Sequence, residues 1–328
     1  MQSAAAMLYC SNPACQAPNP ETHRFCQKCR SPLARRYLWA VGANASAYRS
    51  GDLLADRFLC KSSRIFLDTK PGLPPLNFSE VPDWFLPYLR LSPYQLHIPQ
   101  VYDWLQFDAS TPEATLLLLD QVPLYIRESL LEHGVKLGTG EPAESDIQLF
   151  PRLETVWQQA TPLRQLHWLW QIANLWQPLS GEQLTTTLLT PDLVRVEGGL
   201  LRVLELNLTA DRSVPTLADL GRHWNQWIAN ARPELHRFLQ QLCQQLIDEQ
   251  IYNPEILIER LDSAIALVAQ AQTRQIQIAT RTDQGPTRQR NEDACYPPSG
   301  TVEAGDRSSL VIVCDGIGGH QGGDVASH

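Results

Sequence analysis

The sequence lacks any hydrophobic run long enough to cross a membrane as a helix. No segment approaches the roughly 18–20 consecutive apolar residues that such a helix needs. The first residues also lack a charged start followed by an apolar core, which is the pattern of a secretory signal. Internal repeats and low-complexity tracts are absent as well. These absences favour a soluble, cytoplasmic protein that works without a membrane partner.

Acidic residues are scarce in the first 50 residues. This stretch holds six Lys or Arg residues against Glu21 alone, whereas the whole chain of 328 residues carries a net charge of −8. The basic head could contact an acidic partner, or it could be ordinary solvated surface. The acidic remainder argues against nucleic acid as the main partner.

Cysteines are sparse outside one cluster. Cys60, Cys243, Cys295 and Cys314 occur singly, which does not suit a secreted disulfide framework and favours small buried filler. The other four follow the pattern C-x4-C-x10-C-x2-C and are Cys10, Cys15, Cys26 and Cys29.

Four soft thiolates on two tight turns suit tetrahedral zinc. A closed four-sulfur shell leaves no position for water, so the predicted site is structural rather than catalytic. Phe25 and Leu33 are expected to form a small core beside it. The pattern resembles the short zinc ribbons at the ends of many bacterial multidomain proteins, and contact with a regulatory partner is one role for it. The alternatives are a disordered tail that carries cysteines, or disulfides in an oxidising compartment.

Composition predicts a multidomain α+β protein. The predicted segments are a zinc ribbon (1–33), a linker (34–50), an α+β regulatory domain (51–270) and a C-terminal segment (276–328). Prolines between 71 and 99 exclude regular helix there and favour extended, turning chain. The other element signals are a buried strand over 115–120, a core helix beginning at Thr161-Pro162, a hairpin around 197–199, and two or three amphipathic helices between 216 and 270, the second broken at Pro254.

Part of the middle domain resembles the catalytic-loop hairpin of protein kinases. The resemblance rests on the run from Leu188 to Asn207. A kinase needs a base carboxylate and a second metal ligand at this hairpin. Here Leu188 and Leu193 stand in those places, and Glu205-Leu206-Asn207 replaces the metal-binding Asp-Phe-Gly. The middle domain is therefore either a pseudokinase with a regulatory role or an unrelated α+β scaffold.

Two motifs near the end of the chain give the clearest indication of metal binding. The first reads T-D-Q-G-P-T-R-Q-R-N-E-D-A from Thr282, and the second is an apolar strand followed by D-G-I-G-G-H-Q-G-G-D. Glu292 and Asp293 fall where a short strand begins, and Asp315 follows the apolar strand. Carboxylates brought together repel one another unless a cation lies between them. Mg²⁺ and Mn²⁺ prefer oxygen ligands of this kind.

The order of these motifs closely resembles the opening of the metal-dependent PPM (type 2C) protein serine/threonine phosphatases. The resemblance implies that Asp315 bridges two Mn²⁺ or Mg²⁺ ions and that the Gly316 carbonyl binds one of them. It implies that Glu292 and Asp293 support the metals, largely through water. It also implies that Arg288 holds the substrate phosphate, for which a planar guanidinium is suited.

The resemblance covers only about residues 276–328, the first strands of a PPM-type β-sandwich. Further metal-binding Asp residues of that family lie beyond this stretch. We therefore expect a truncated chain that is itself inactive. The parent enzyme is expected to hydrolyse phosphoserine and phosphothreonine in a protein substrate, using water activated at a dinuclear metal site. The alternative is a non-catalytic signalling module made of the zinc ribbon and the pseudokinase.

Overall fold

A computed structural model describes residues 7–42, 44–76, 82–107, 115–126, 147–208, 214–271, 276–284, 291–305 and 310–316. The fold mixes helices and strands and divides into two compact units, Met1–Ile265 and Ala266–His328. Within the described ranges, every helix is too short or too polar to span a bilayer.

Strands dominate the first half of the first unit. In chain order the elements are β1 (Met7–Tyr9), β2 (Pro18–Pro20), β3 (Arg36–Val41), β4 (Leu53–Leu54), β5 (Phe58–Ser62), β6 (Ile65–Asp68), α1 (Leu86–Arg90), β7 (Gln100–Gln106), β8 (Thr115–Asp120), β9 (Leu124–Ile126) and β10 (Ile147–Leu149). Six of them form an antiparallel sheet in the order β4-β5-β6-β3-β8-β7. β1 pairs with β2, and β9 pairs with β10.

The centre of the six-stranded sheet is buried on both faces. All four leucines of β8 are fully or almost fully buried, as are all four residues of β6. A continuous apolar run is what a strand covered on both sides requires. The predicted strand over 115–120 is therefore confirmed.

The stretch 34–50 is not a linker. It contains β3, which lies between β6 and β8 and pairs Leu38 with Phe66 and Ala40 with Leu118. The strand was missed because it is short and its flanks are charged or rich in Ala and Ser. This central position ties the N-terminal segment into the same compact unit as the sheet.

Helices dominate the second half of the first unit, and the last of them extends past its boundary at Ile265. They are α2 (Leu153–Trp157), α3 (Pro162–Gly181), α4 (Thr186–Leu189), α5 (Leu217–Asn225), α6 (His236–Ile247) and α7 (Pro254–Ala271), and a hairpin of β11 (Val194–Glu197) and β12 (Leu200–Val203) lies between α4 and α5. Both the hairpin and the start of α3 are confirmed, since the Thr161 side chain accepts a hydrogen bond from the Arg164 amide. Residues 217–271 form three helices, but Pro254 begins α7 instead of breaking a helix.

The proline-rich stretch between 71 and 99 is more regular than predicted. It contains α1 and short 3₁₀ turns at Asp83–Phe85 and Ser92–Tyr94. Pro87 and Pro93 lie in the first turn of these elements. A proline is tolerated there because the amide that it lacks has no partner within the helix.

The second unit contains two antiparallel strand pairs. β13 (Ile276–Ala279) pairs with β15 (Val302–Gly305), and β14 (Ala294–Tyr296) pairs with β16 (Ile312–Cys314). These strands flank the two acidic motifs.

A buried ion pair lies where β5 begins and β6 ends in the large sheet. Arg57 donates to both carboxylate oxygens of Asp68, at 3.0 and 2.7 Å, and both side chains are almost completely buried. The Tyr102 hydroxyl donates to the same carboxylate at 2.6 Å. Burial, followed by the hydrogen bond to Asp68, raises the pKa of Tyr102 to about 12, so this hydroxyl keeps its proton.

The same arginine fixes a neighbouring segment, which we term the strap (residues 69–76). The Arg57 guanidinium donates to the carbonyls of Pro74, at 2.6 Å, and Leu73, at 3.1 Å. The far end of the strap is held by buried Asp103, which accepts from the Leu76 amide at 2.8 Å. The cluster therefore connects the sheet to the strap at Leu73, Pro74 and Leu76.

Replacing Arg57 with Ala should destabilise the first unit by about 3–5 kcal/mol, because Asp68 would become a buried charge without its partner. Urea unfolding followed by tryptophan fluorescence measures this loss. Arg90→Ala is the control, since Arg90 pairs with Glu182 at 3.0 Å but its side chain is 61% exposed. The control should cost at most about 1 kcal/mol. Equal losses in the two variants would contradict the role given to Arg57.

Candidate functional site

The four predicted cysteine ligands meet at the N-terminal end of the first unit, in what we term the four-cysteine segment (residues 7–33). Pairing of β1 with β2 closes the first turn, and the Cys10 amide donates to the Ala17 carbonyl at 3.0 Å. In the second turn the Cys26 amide donates to the Ser31 carbonyl at 2.8 Å. Each turn therefore presents two thiols to the other turn.

The spacing of the sulfurs fits a tetrahedral metal ion. The distance between the Cys10 and Cys29 sulfurs is 3.5 Å, and between the Cys15 and Cys26 sulfurs it is 3.7 Å. All four sulfurs lie within 4.8 Å of one another. Zinc–sulfur bonds of about 2.3 Å in a tetrahedron require sulfurs about 3.8 Å apart. The segment can therefore hold a metal ion with four sulfur ligands and no open position.

The four thiols differ in acidity. A backbone hydrogen bond from Cys29 is the main cause that lowers the pKa of Cys26, to about 6. The Ser31 side chain lowers the pKa of Cys29. A backbone hydrogen bond from Asn12 lowers the pKa of Cys10, but burial and the neighbouring thiols outweigh it and raise that pKa to about 12. The hydrogen bonds that reach Cys26 and Cys29 thus favour the thiolate form of the second pair.

The small core of the segment differs from the one predicted. Leu33 is buried as expected, but Phe25 is 57% exposed, so its assignment to the core was wrong. Leu8 takes that place and is fully buried against the cysteines. No local pattern indicates this position for Leu8, because Leu8 precedes the first cysteine and reaches the core only through the pairing of β1 with β2.

The four-cysteine segment packs on the strap. The Tyr9 amide donates to the Thr69 carbonyl at 2.7 Å. A Cβ atom at Gly72 would lie 2.7 Å from the Ser11 carbonyl oxygen, closer than two such atoms can approach. Glu21 pairs with Lys61 at 2.9 Å. The segment is thus joined to the sheet through the strap that Arg57 holds.

The kinase-like positions of the middle domain show no free acid. Leu188, where a kinase has its base, is 1% exposed. Glu205, at the place of the metal-binding acid, forms an ion pair with Arg64 and accepts from the Trp39 indole at 2.5 Å. The Arg64 guanidinium also lies over the Trp39 ring, 4.4 Å from its centroid. This carboxylate is therefore used to join the sheet to the hairpin.

The two acidic motifs of the second unit come together. The pairing of Ala294 with Cys314, extended by one residue, puts Asp293 opposite Asp315 at the same end of the strand pair. The Asp293 carboxylate accepts from the Gly316 amide at 3.1 Å. A Cβ atom at Gly316 would overlap the Glu292 carbonyl oxygen, so only glycine permits this approach.

Other predicted residues of this region are not described. Arg288 lies outside the described residues, so its distance to the carboxylates is not defined. Among the residues that are described, the four cysteines form the one group of three or more ligand atoms within 4.8 Å. Glu292, Asp293 and Asp315 are close in the fold but are not gathered into such a cluster. Asn291, by contrast, is fixed, because its amide donates to the Thr282 hydroxyl at 3.0 Å.

Comparison with known proteins finds a short match to one kind of protein. Over 47 residues the chain is 51% identical to proteins named Serine/threonine phosphatase stp from Listeria innocua, Listeria welshimeri and Listeria monocytogenes. The match covers 14% of this chain and 17% of each relative, so the chain spans about a sixth of their length. No protein-family model matches the chain, and no solved structure matches it.

Replacing Gly72 with Ala should separate the four-cysteine segment from the strap and cost about 1–3 kcal/mol, because the new methyl group overlaps the Ser11 backbone. Thermal or urea unfolding measures the change. Gly181→Ala makes the same substitution at the end of α3, where a Cβ atom meets nothing within 4 Å. This control should be neutral or slightly more stable. A neutral Gly72→Ala variant would show that the contact does not hold the segment.

Proposed function

We propose that the protein to which this chain belongs is a metal-dependent protein serine/threonine phosphatase. Its substrate would be a phosphorylated protein, from which it removes phosphate at serine and threonine. The motifs around Asp293 and Asp315 would supply part of a Mn²⁺ or Mg²⁺ site. The identity to phosphatases over 47 residues supports the family resemblance at this coarse level.

The observation that carries the proposal is the contact between the two motifs. The Asp293 carboxylate accepts from the Gly316 amide at 3.1 Å, although 22 residues separate them along the chain. Strand pairing puts both motifs at one end of β14 and β16. Carboxylates at the same end of two paired strands are suitable ligands for the hard cations of a two-metal site.

The proposed roles follow the chemistry of each side chain. Asp315 would bridge the two ions, the Gly316 carbonyl would bind one of them, and Glu292 and Asp293 would orient the water around them. Arg288 would bind the phosphate oxygens of the substrate. The bound ions would supply an activated water and neutralise the charge that develops on the leaving oxygen.

We propose a second, structural metal site in the four-cysteine segment, with Cys10, Cys15, Cys26 and Cys29 as zinc ligands. The sulfur spacing and the closed shell support zinc over the harder ions proposed for the second unit. The basic four-cysteine segment or the middle domain would then bind a regulatory protein partner.

A non-catalytic role for the middle domain is favoured by the state of its kinase-like residues. Leu188 is apolar and buried, and Glu205 is paired with Arg64. Neither can accept a proton from a substrate or bind magnesium in this arrangement. If the domain is a pseudokinase, it acts by binding. If neither the 328-residue chain nor the intact protein has phosphatase activity, this binding role would be the main function.

Phosphatase activity is tested on the intact protein, which includes any residues encoded beyond His328. It should release phosphate from phosphothreonine peptides only with Mn²⁺ or Mg²⁺. Asp315→Asn should lower kcat/KM at least about 100-fold. Loss of an outer-shell partner already costs up to about 100-fold, and Asp315 is proposed as a direct ligand. The control Glu303→Gln makes the same charge change at an exposed position of β15 and should be unaffected.

Metal-independent release by the intact protein, or equal activity of the Asp315→Asn and Glu303→Gln variants, would contradict the proposal.

The zinc site predicts a single tightly bound zinc ion per chain after dialysis, measured by elemental analysis. Cys15→Ser should lose this ion because one of its four ligands is removed. Cys295→Ser, which changes a half-buried cysteine of the second unit, should retain it. Retention of zinc by the Cys15→Ser variant would rule out the proposed ligand set.

A further inference from the structure

A buried asparagine stands beside the sulfurs of the four-cysteine segment. Asn19 lies in β2 and is completely shielded from solvent. Its amide nitrogen donates to the Ala17 carbonyl at 2.8 Å and lies 3.6 Å from the Cys26 sulfur. Its amide oxygen accepts from the Gln27 backbone amide at 2.8 Å. Each polar atom of this side chain is therefore used inside the segment.

These contacts connect the two cysteine turns. Ala17 follows the first cysteine pair, whereas Gln27 lies between the two cysteines of the second pair. One planar amide therefore sets the distance between the turns, and it does so next to the Cys26 sulfur. An apolar side chain of similar size would remove the acceptor of the Gln27 amide and with it this hydrogen bond between the turns.

Ser31 makes a parallel contact on the other sulfur of the second pair. Its hydroxyl oxygen lies 3.3 Å from the Cys29 sulfur. When Cys29 is a thiolate, the hydroxyl is the donor. The second pair thus receives one donor on each sulfur, from Asn19 and from Ser31.

The charge of the site gives these donors their importance. Four thiolates around one divalent cation carry a net charge of −2, and the sulfurs repel one another across the site. Hydrogen-bond donors that point at sulfur spread part of this charge and fix the ligand direction.

We propose that Asn19, together with Ser31, is a positioning residue of the metal site. Asn19 fixes the second cysteine pair against the first and donates to Cys26, and the affinity of the site for zinc depends on it. The inference rests on the proposed zinc site and is independent of the phosphatase proposal. Neither residue is a ligand, so all four sulfurs still bind when it is changed.

Asn19→Asp tests the proposal most directly because it removes the donor groups and keeps the acceptor. The new carboxylate can still accept from the Gln27 amide, but it has lost the N–H groups that face Ala17 and Cys26 and brings negative charge to the sulfurs. Asn12→Asp is the matched control. It makes the same change within the same segment, where the Asn12 side chain only accepts from the Ala14 amide, at 3.0 Å, and an aspartate can do the same.

Zinc affinity is measured on the full chain by competition with a chromophoric chelator. Asn19→Asp should weaken zinc binding by about 10- to 100-fold, as the loss of an outer-shell partner does elsewhere. Asn12→Asp should stay close to the wild-type protein. With Co²⁺ as the probe, the sulfur-to-metal charge-transfer band should keep its intensity in Asn19→Asp, since four sulfurs still bind.

Four other results would each contradict the inference. Equal affinities of the wild-type protein and Asn19→Asp, or an equal loss in both aspartate variants, would overturn the inference. A reduced charge-transfer band would mean that a ligand has been lost, which also overturns a positioning role. No zinc binding by the wild-type protein would overturn the zinc site itself and this inference with it.

Ser31→Ala covers the case in which Asn19→Asp does not fold. It removes only a half-buried hydroxyl, so the segment should fold normally. Its zinc affinity should fall several-fold, with an unchanged Co²⁺ band. An affinity equal to that of the wild-type protein would show that donors to the sulfurs do not matter here, and would overturn the proposal.

Discussion

The buried ion pair between Arg57 and Asp68 holds the large sheet and the strap together. Removing two charges from water costs several kcal/mol per ion, and good geometry with complete hydrogen bonding must offset it. Here the pair is bidentate, and the remaining guanidinium hydrogens bind the carbonyls of Leu73 and Pro74. Because those carbonyls belong to the strap, the same interaction that completes the sheet also positions the surface on which the four-cysteine segment packs.

The two units differ in the chemistry that they offer. The first unit uses sulfur, in a closed set of four ligands with no position for a substrate. The carboxylate of Glu205 is bound to Arg64 and Trp39. The second unit offers carboxylates and a backbone carbonyl, which are ligands for hard cations. The proposed structural metal site and the proposed catalytic site thus differ in ligand type and belong to different units.

Local patterns in the sequence predicted the local features of the fold. Cysteine spacing, the Gly-Gly turn between β11 and β12, and the Thr161-Pro162 helix start each depend on residues that are close along the chain. The strand β3 was missed because its partners lie far away, with Leu118 of β8 opposite Ala40. Arg57 carries no local sign that it is buried, since only the folded sheet provides its partner Asp68.

At the sites, too, features set by residues close along the chain were predicted, whereas features set by distant residues were missed. The order of the acidic motifs predicts that their carboxylates converge, and this stays a prediction; the described contact is between the Asp293 carboxylate and the Gly316 amide. The role of Asn19 could not be foreseen, because it depends on which turns the fold puts side by side. Phe25 was assigned to the core on apolarity alone, whereas pairing of β1 with β2 gives that place to Leu8.

Equilibrium unfolding followed by two probes tests most directly whether the four-cysteine segment, the strap and the sheet form one cooperative structure. Tryptophan fluorescence reports on the packed core, and a chromophoric chelator reports on zinc release. The contacts through Thr69 and Gly72 predict that both signals change in a single coincident transition. Zinc released in an earlier transition, with the fluorescence of the core unchanged, would contradict this account.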